Sequence, residues 1–169
     1  EVGKIDDLTH EPQTITLTQA YTNPVVFAQP ASSVGAEPVV VRVSDIQSNQ
    51  FNIFVAEPSN LNGFHNAAES VSYLVLEAGS HRLADETQLE VGLLATNATV
   101  GKAITSPTWQ TVNFVDPFAV PPVVISQPQT MEGQSFLSTR QTSVTTDSFQ
   151  VALQPEEQST DPHVTETIG

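Results

Sequence analysis

The sequence repeats itself, and an internal repeat restricts the fold more than any single motif does. Residues 23–30 (NPVVFAQP) recur as residues 121–128 (PPVVISQP), a shift of 98 positions, from Pro24 to Pro122. Further pairs follow in the same order: Gly35 and Gly133, Arg42 and Arg140, Phe51 and Phe149, His65 and His163, Glu69 and Glu166, Val71 and Ile168. Residues 1–4 (EVGK) also recur as residues 90–93 (EVGL). We therefore divide the chain into residues 1–89, the first repeat, and residues 90–169, the second repeat.

The second repeat ends earlier than the first when the two are aligned. The first repeat continues through residues 71–79 (VSYLVLEAG), which alternate like a strand, whereas the second stops at the equivalents of Val71 and Ser72. We expect the second repeat to lack its last strand, because an antiparallel β-domain without a terminal strand leaves an unpaired edge and an open core. A piece of a longer array is the favoured explanation, and a strand supplied by another chain is the alternative.

The local pattern is that of β-structure throughout. Polar and apolar residues alternate in residues 14–17, 38–43, 51–55, 111–114 and 149–153, as in half-buried strands. The 12 prolines are spread along the chain and argue against long helices. Residues 81–90 are predicted to connect the repeats. The fold class is therefore all-β, with two tandem antiparallel β-sandwiches.

Composition excludes several classes of function. Five Lys+Arg against 19 Asp+Glu give a formal net charge of −14, which disfavours nucleic acids and anionic membrane surfaces as partners. No apolar run is long enough for membrane insertion. The absence of Cys excludes a disulfide scaffold, a thiolate metal site and a Cys nucleophile. An acidic, Cys-free chain rich in Thr and Val indicates an exported protein, and we expect an extracellular or cell-surface location.

Several short segments resemble H-type lectin domains. They are Phe118 followed by residues 121–124 (PPVV), residues 144–151 (VTTDSFQV), residues 70–77 (SVSYLVLE) and residues 2–6 (VGKID). The resemblance implies a six-stranded antiparallel sandwich that associates as trimers and binds galactose-type sugars between subunits. His65 and His163 lie in the loop that holds a sugar-contacting His in that family, whereas Pro38 and Phe136 occupy the positions of its sugar-contacting Arg.

Both repeats keep an Arg at the same place, Arg42 and Arg140. A guanidinium on a strand binds a carboxylate or vicinal sugar hydroxyls through two hydrogen bonds. The alternative, and the favoured one, is a salt bridge to an acid of the same domain such as Glu69 or Glu166.

A His is followed by a Glu in each repeat, as His65 with Glu69 and His163 with Glu166. The spacing changes from four to three, and no third ligand follows at a spacing typical of zinc. Loop carboxylates offer oxygen ligands for calcium, but no spacing indicates a calcium site, so no metal or other cofactor is predicted. A His–Glu hydrogen bond that braces the last loop is the favoured interpretation. Trp109 either offers a ring on which a sugar stacks or closes one end of the sandwich.

These observations predict a non-catalytic repeat module of a surface protein that adheres through weak carbohydrate binding summed over many copies. The candidate ligand-binding residues are Arg42, His65, Arg140, His163 and Trp109. The expected partners are glycans or polysaccharide and like repeats of the same or neighbouring chains, including a homo-oligomer. The alternative is a structural repeat that forms a stalk, sheath or filament through donor-strand exchange. No motif of a known enzyme class is present.

Overall fold

A computed structural model describes the whole chain, Glu1–Gly169, and shows an all-β protein without helices. Its strands are β1 (Val2–Leu8), β2 (Gln13–Thr16), β3 (Pro24–Pro30), β4 (Val40–Gln47), β5 (Gln50–Ala56), β6 (Glu69–Glu77), β7 (Gly79–Arg82), β8 (Gln88–Val91), β9 (Leu94–Thr96), β10 (Gln110–Asn113), β11 (Leu137–Thr142), β12 (Ser148–Pro155) and β13 (Glu166–Ile168). They pair antiparallel in five small sheets. No helical segment is therefore available to cross a membrane.

The first repeat contains two three-stranded sheets that share one core. The sheet orders are β1-β6-β3 and β2-β5-β4. Alternate side chains of β5, Phe51, Ile53 and Val55, are fully buried because the strand has one face toward the other sheet. They pack with Val26, Val71 and other apolar residues in a core of 12 buried residues drawn from both sheets.

Strand β6 is the centre of its sheet, and the sheet depends on it. It pairs with β1 on one side and with β3 on the other, over the full length of β3. Tyr73 of β6 contacts Phe51 edge to face at 5.4 Å and covers Gly3 so closely that a Cβ there would lie 2.2 Å from the ring. The equivalent Gly92 in the second repeat has no neighbour within 4 Å of such a Cβ, because no residue stands in the place of Tyr73.

The second repeat is open where the first is closed. Its strands form the sheets β10-β12-β11 and β9-β13, and its core has only four fully buried residues. Residues 122–127, the equivalents of residues 24–29 in β3, belong to no sheet, and Val123 is 91% exposed. A groove of 970 Å³ runs beside them, over the partly exposed core side chains Val112, Phe114 and Phe149.

The prediction of two tandem six-stranded sandwiches is not confirmed, although the all-β class is. In the second repeat, β13 stops after three residues. The segment equivalent to β3 therefore has no neighbouring strand with which to pair. One isolated bridge, between Pro128 and Ile168, preserves the register that Pro30 and Val71 have in the first repeat. The predicted connector forms a hairpin, β7-β8, rather than a loose linker.

The open groove allows a test of how the two repeats correspond. We expect that appending residues 73–79 after Gly169 continues β13 and protects the amides of Val123 and Ile125 from hydrogen exchange. In the monomeric chain, at low protein concentration, the amides of Val124 and Ser126 stay unprotected, because the N–H groups of the equivalent residues Val26 and Ala28 point away from β6. Amide exchange at residue resolution measures this pattern.

The matched control carries Pro in place of Leu74 in the appended segment, because Leu74 pairs with Phe27 on the β3 side of β6 and proline removes the N–H group needed for that pairing. Equal protection in the control and in the unsubstituted extension, or protection of Val124 and Ser126 instead, would contradict the assigned register.

Candidate functional site

Arg42 lies at the junction of the repeats and is fully buried. It belongs to β4, but its guanidinium reaches into the second repeat. Nη1 donates hydrogen bonds to the carbonyl oxygens of Gln134 (3.1 Å) and Ser135 (2.8 Å), and Nη2 donates to that of Thr130 (2.6 Å). The Glu166 carboxylate is 3.7 Å from Nη2. Arg42 therefore joins the repeats, and no surface of its side chain is free to meet a sugar.

Burial lowers the pKa of the Arg42 guanidinium from its usual value, and the Glu166 carboxylate opposes that shift. A buried cation is destabilising unless charge and hydrogen bonds compensate it. Three carbonyl oxygens and one carboxylate supply that compensation, although Nε has no partner. The favoured sequence interpretation, a salt bridge inside one domain, is wrong for Arg42, because its carboxylate partner is Glu166 of the other repeat.

Glu69 organises the loop after β3 in the first repeat. Its carboxylate accepts hydrogen bonds from the Ser32 hydroxyl and from the main-chain N–H groups of Val34 and Gly35, the latter two at 2.8 Å. The Ser32 bond, followed by the Gly35 bond, lowers the pKa of Glu69 from 4.5 to about 2, and burial acts in the opposite direction. Glu69 is thus an anionic anchor that fixes the conformation of this loop.

Glu166 repeats this arrangement in the second repeat. Its carboxylate accepts from the Thr130 hydroxyl at 2.5 Å, from Glu132 N at 2.9 Å and from Gly133 N at 3.3 Å. The donors occupy the same positions of the repeat as those of Glu69. We call these segments, residues 32–37 and 130–135, the first and the second Glu-anchored loop. The second is the loop that Arg42 binds.

The two His residues are buried next to these loops. His65 Nδ1 lies 2.7 Å from Glu57 Oε1, and its Nε2 lies 3.3 Å from Glu69 Oε1. His163 Nδ1 contacts the Val164 carbonyl oxygen at 2.9 Å and is 3.9 Å from Glu166. The predicted bracing of the last loop describes His65, whereas the His163 contact to Glu166 is too long for a hydrogen bond. Neither ring is available to an external ligand in this structure.

A close-packed Gly explains each His position. A Cβ added at Gly35 would lie 2.3 Å from the His65 ring, and one at Gly133 would lie 2.5 Å from the His163 ring. Both pairs are repeated in the sequence, so the repetition reflects packing of a His ring on the main chain. The structure also has no cluster of three or more His, Cys, Asp and Glu residues that could hold a metal ion.

Two Gln side chains complete the junction, and the sequence reasoning missed them. Gln127 accepts a hydrogen bond from Ala28 N at 2.6 Å and donates to the Val41 carbonyl oxygen at 3.2 Å. Gln129 accepts from Val26 N and donates to the Val26 carbonyl oxygen, both at 2.8 Å. They bind main-chain N–H and carbonyl groups at the outer edge of β3, as a neighbouring strand would. The sequence signal was a Gln beside Pro in both repeats, but the exposed Gln29 carries the same signal.

Arg140 and Trp109 are the candidates that the structure leaves accessible. Arg140 is exposed, and its Nε donates to Gln154 Oε1. Trp109 precedes β10 and is 38% exposed. Arg140 pairs with Ala152 in the register of β11 and β12, and β10 lies on the other side of β12, where its first pair is Gln110 with Val151. Of the five predicted residues, the structure leaves Arg140 and Trp109 accessible and buries the other three.

Comparison with known proteins gives one partial relationship. The chain is 30% identical to halomucin of Haloquadratum walsbyi over 167 residues. The match covers 93% of this chain, which spans 2% of the length of that curated relative. No family model matches the sequence. No solved structure matches it.

The lowered pKa of Glu69 predicts how the protein responds to acid. Its folded pKa, about 2, lies below its usual 4.5, so the unfolded state binds more protons in that interval. The stabilisation is therefore complete above pH 4.5 and is lost as the pH falls toward 2. We expect Glu69→Gln to lower the free energy of unfolding at pH 7, and the difference from wild type to shrink across that window. Urea unfolding at several pH values measures it, and a pH-independent difference would contradict the prediction.

Proposed function

We propose that this chain is a non-catalytic repeat module of an extracellular surface protein and that it acts as a structural unit. In this proposal the repeats dock rigidly to one another and extend a stalk, sheath or filament. The observation that carries it is the use of Arg42. A fully buried guanidinium that binds three carbonyl oxygens of the next repeat fixes the two repeats as one body.

Other features support the same proposal. The match to halomucin is compatible with a repeat module of a surface protein, and with an extracellular or cell-surface location. The net charge of −14 keeps assembled units from coalescing and keeps them soluble. Gln127 and Gln129 bind the main-chain N–H groups of Val26 and Ala28, so these donors at the outer edge of β3 are not open to another strand.

Rigidity of the junction is the testable part of this proposal. The chain has no Cys, so Cys residues placed at the exposed positions Glu11 and Thr111 can carry one spin label in each repeat. We expect one narrow distance distribution in the wild-type background at low protein concentration. Arg42→Met removes the donor and leaves Glu166 buried without its cation. It should therefore broaden the distribution and lower the free energy of unfolding by about 3 kcal/mol.

Arg140→Met is the matched control, because Arg140 holds the same position of the repeat but is exposed; its cost should stay within about 0.5 kcal/mol. Circular dichroism establishes that each variant is folded. Gln129→Ala offers a milder disruption of the same junction. A broad distribution in the wild-type background would contradict the structural proposal.

Adhesion through weak carbohydrate binding is the second candidate, and the exposure of Trp109 favours it. An accessible indole and an accessible guanidinium in the same repeat offer an apolar surface and hydrogen-bond donors, which suit a sugar ring. Arg42, His65 and His163 do not contribute in this version, because they are buried.

A multivalent glycan screen tests this candidate. We expect Trp109→Ala to weaken binding about tenfold, or roughly 1.4 kcal/mol, since stacking on the indole is lost. Multivalent display is needed because single-site affinity is low. Unchanged binding after Trp109→Ala, or no glycan binding by the wild-type chain, would exclude this site.

A further inference from the structure

The junction inside the chain has two different sides, and each side has an unused counterpart. One side is Arg42 with the outer edge of β3, and the other is the second Glu-anchored loop with Gln127 and Gln129. The second repeat carries the equivalent of the first side in Arg140, and the first repeat carries the equivalent of the second side in residues 32–37. A contact between unlike sides is heterologous and can be repeated.

We propose that Arg140 and the outer edge of residues 122–127, together called the Arg140 face, bind the first Glu-anchored loop of a second copy. This contact would reproduce the one that Arg42 makes internally. This inference rests on the proposed structural function and names its partner. The occupant of the Arg140 face is thus residues 32–37 of another chain, and the expected acceptors are the carbonyl oxygens of Ser32, Ala36 and Glu37.

The donor side is prepared for this contact. Arg42 uses both Nη groups for the loop and leaves Nε without a partner. Arg140 shows the converse, because its Nε is bound to Gln154 while its Nη groups make no hydrogen bond within the chain. The main-chain N–H groups of Val124 and Ser126, equivalents of Val26 and Ala28, are also without partners. The equivalents of the donors that bind across the internal junction therefore have no hydrogen-bond partner in the second repeat.

The acceptor side is equally prepared. Glu69 holds the first Glu-anchored loop through the same three kinds of donor with which Glu166 holds the second. The carbonyl oxygens of Ser32, Ala36 and Glu37 accept no hydrogen bond within the chain. Gln29 is exposed and stands where Gln127 stands in the second repeat. The loop thus has the fold and the free acceptors that Arg42 recognises in its twin.

One difference sets the strength of the contact. Ala31 takes the place of Gln129, so the contact between copies lacks the two hydrogen bonds that Gln129 makes with Val26. The self-repulsion of chains with a net charge of −14 opposes association as well. We therefore expect reversible association that strengthens with salt, because salt screens the repulsion between chains.

Sedimentation velocity over a concentration series at high salt tests the proposal. We expect the wild-type chain to associate, and Arg140→Ala and Gln29→Ala each to raise the concentration of half-association by about tenfold or more, since each removes hydrogen-bonding groups from one side of the contact. Arg82→Ala is the matched control, because Arg82 is an exposed arginine on the connecting hairpin; it should associate like wild type.

Mixing the two variants distinguishes a heterologous contact from others. The Gln29→Ala chain keeps its Arg140 face and the Arg140→Ala chain keeps its loop, so the mixture should regain one wild-type contact and form dimers. No association at any concentration, equal effects of Arg140→Ala and Arg82→Ala, or no rescue on mixing would overturn the proposal. So would loss of glycan binding without loss of association in Arg140→Ala, because the face would then serve a sugar.

Different results would contradict the contact between copies and the proposed structural function. A flexible junction shows as broad spin-label distances within one chain and refutes the structural function. Absence of association between chains whose internal distances are narrow refutes only the contact proposed here.

Discussion

The buried guanidinium of Arg42 is the interaction on which the relation of the two repeats depends. A cation without exposed surface is tolerated only where oxygen atoms surround it, and these oxygens come from a loop of the other repeat. That loop in turn has its shape because Glu166 binds three of its donors. Arginine, loop and carboxylate form one chain of contacts. Hydrogen bonds and the charge of Glu166 therefore hold the two repeats in one orientation.

The repeats use the same parts in different surroundings. Glu69 and Glu166 hold their loops alike, and Glu1 and Glu90 accept from the main chain of Thr18 and Val115 in the same way. Arg42 and Arg140 differ because only Arg42 faces a neighbouring loop. A position of the repeat is therefore a junction residue or a surface residue according to what lies next to it, and this asymmetry is the basis of the contact proposed between copies.

Much of the fold could be predicted from the sequence, but the sheets of the second repeat could not. Alternation placed strands at Phe51 and Phe149, and the hairpin formed where a connector was expected. The segment around Val123 reads like β3 yet pairs with nothing, because strand formation requires a partner that local pattern does not supply. At the candidate site, recurrence identified Arg42, His65 and His163 but could not say that they are buried. Gln127 and Gln129 were missed because a polar side chain that substitutes for a strand leaves no periodic signal.

The sequence by itself determined the repeat frame, the all-β class, the acidic character of the surface and the recurrence of the Arg, His and Glu positions. These properties follow from composition and from local alternation, which a chain carries whatever its environment. Only the tertiary structure decided which arginine is buried, which loop receives it and which face stays open. Burial and pairing are relations between segments distant in sequence, and identical residues acquire different roles when their neighbours in space differ.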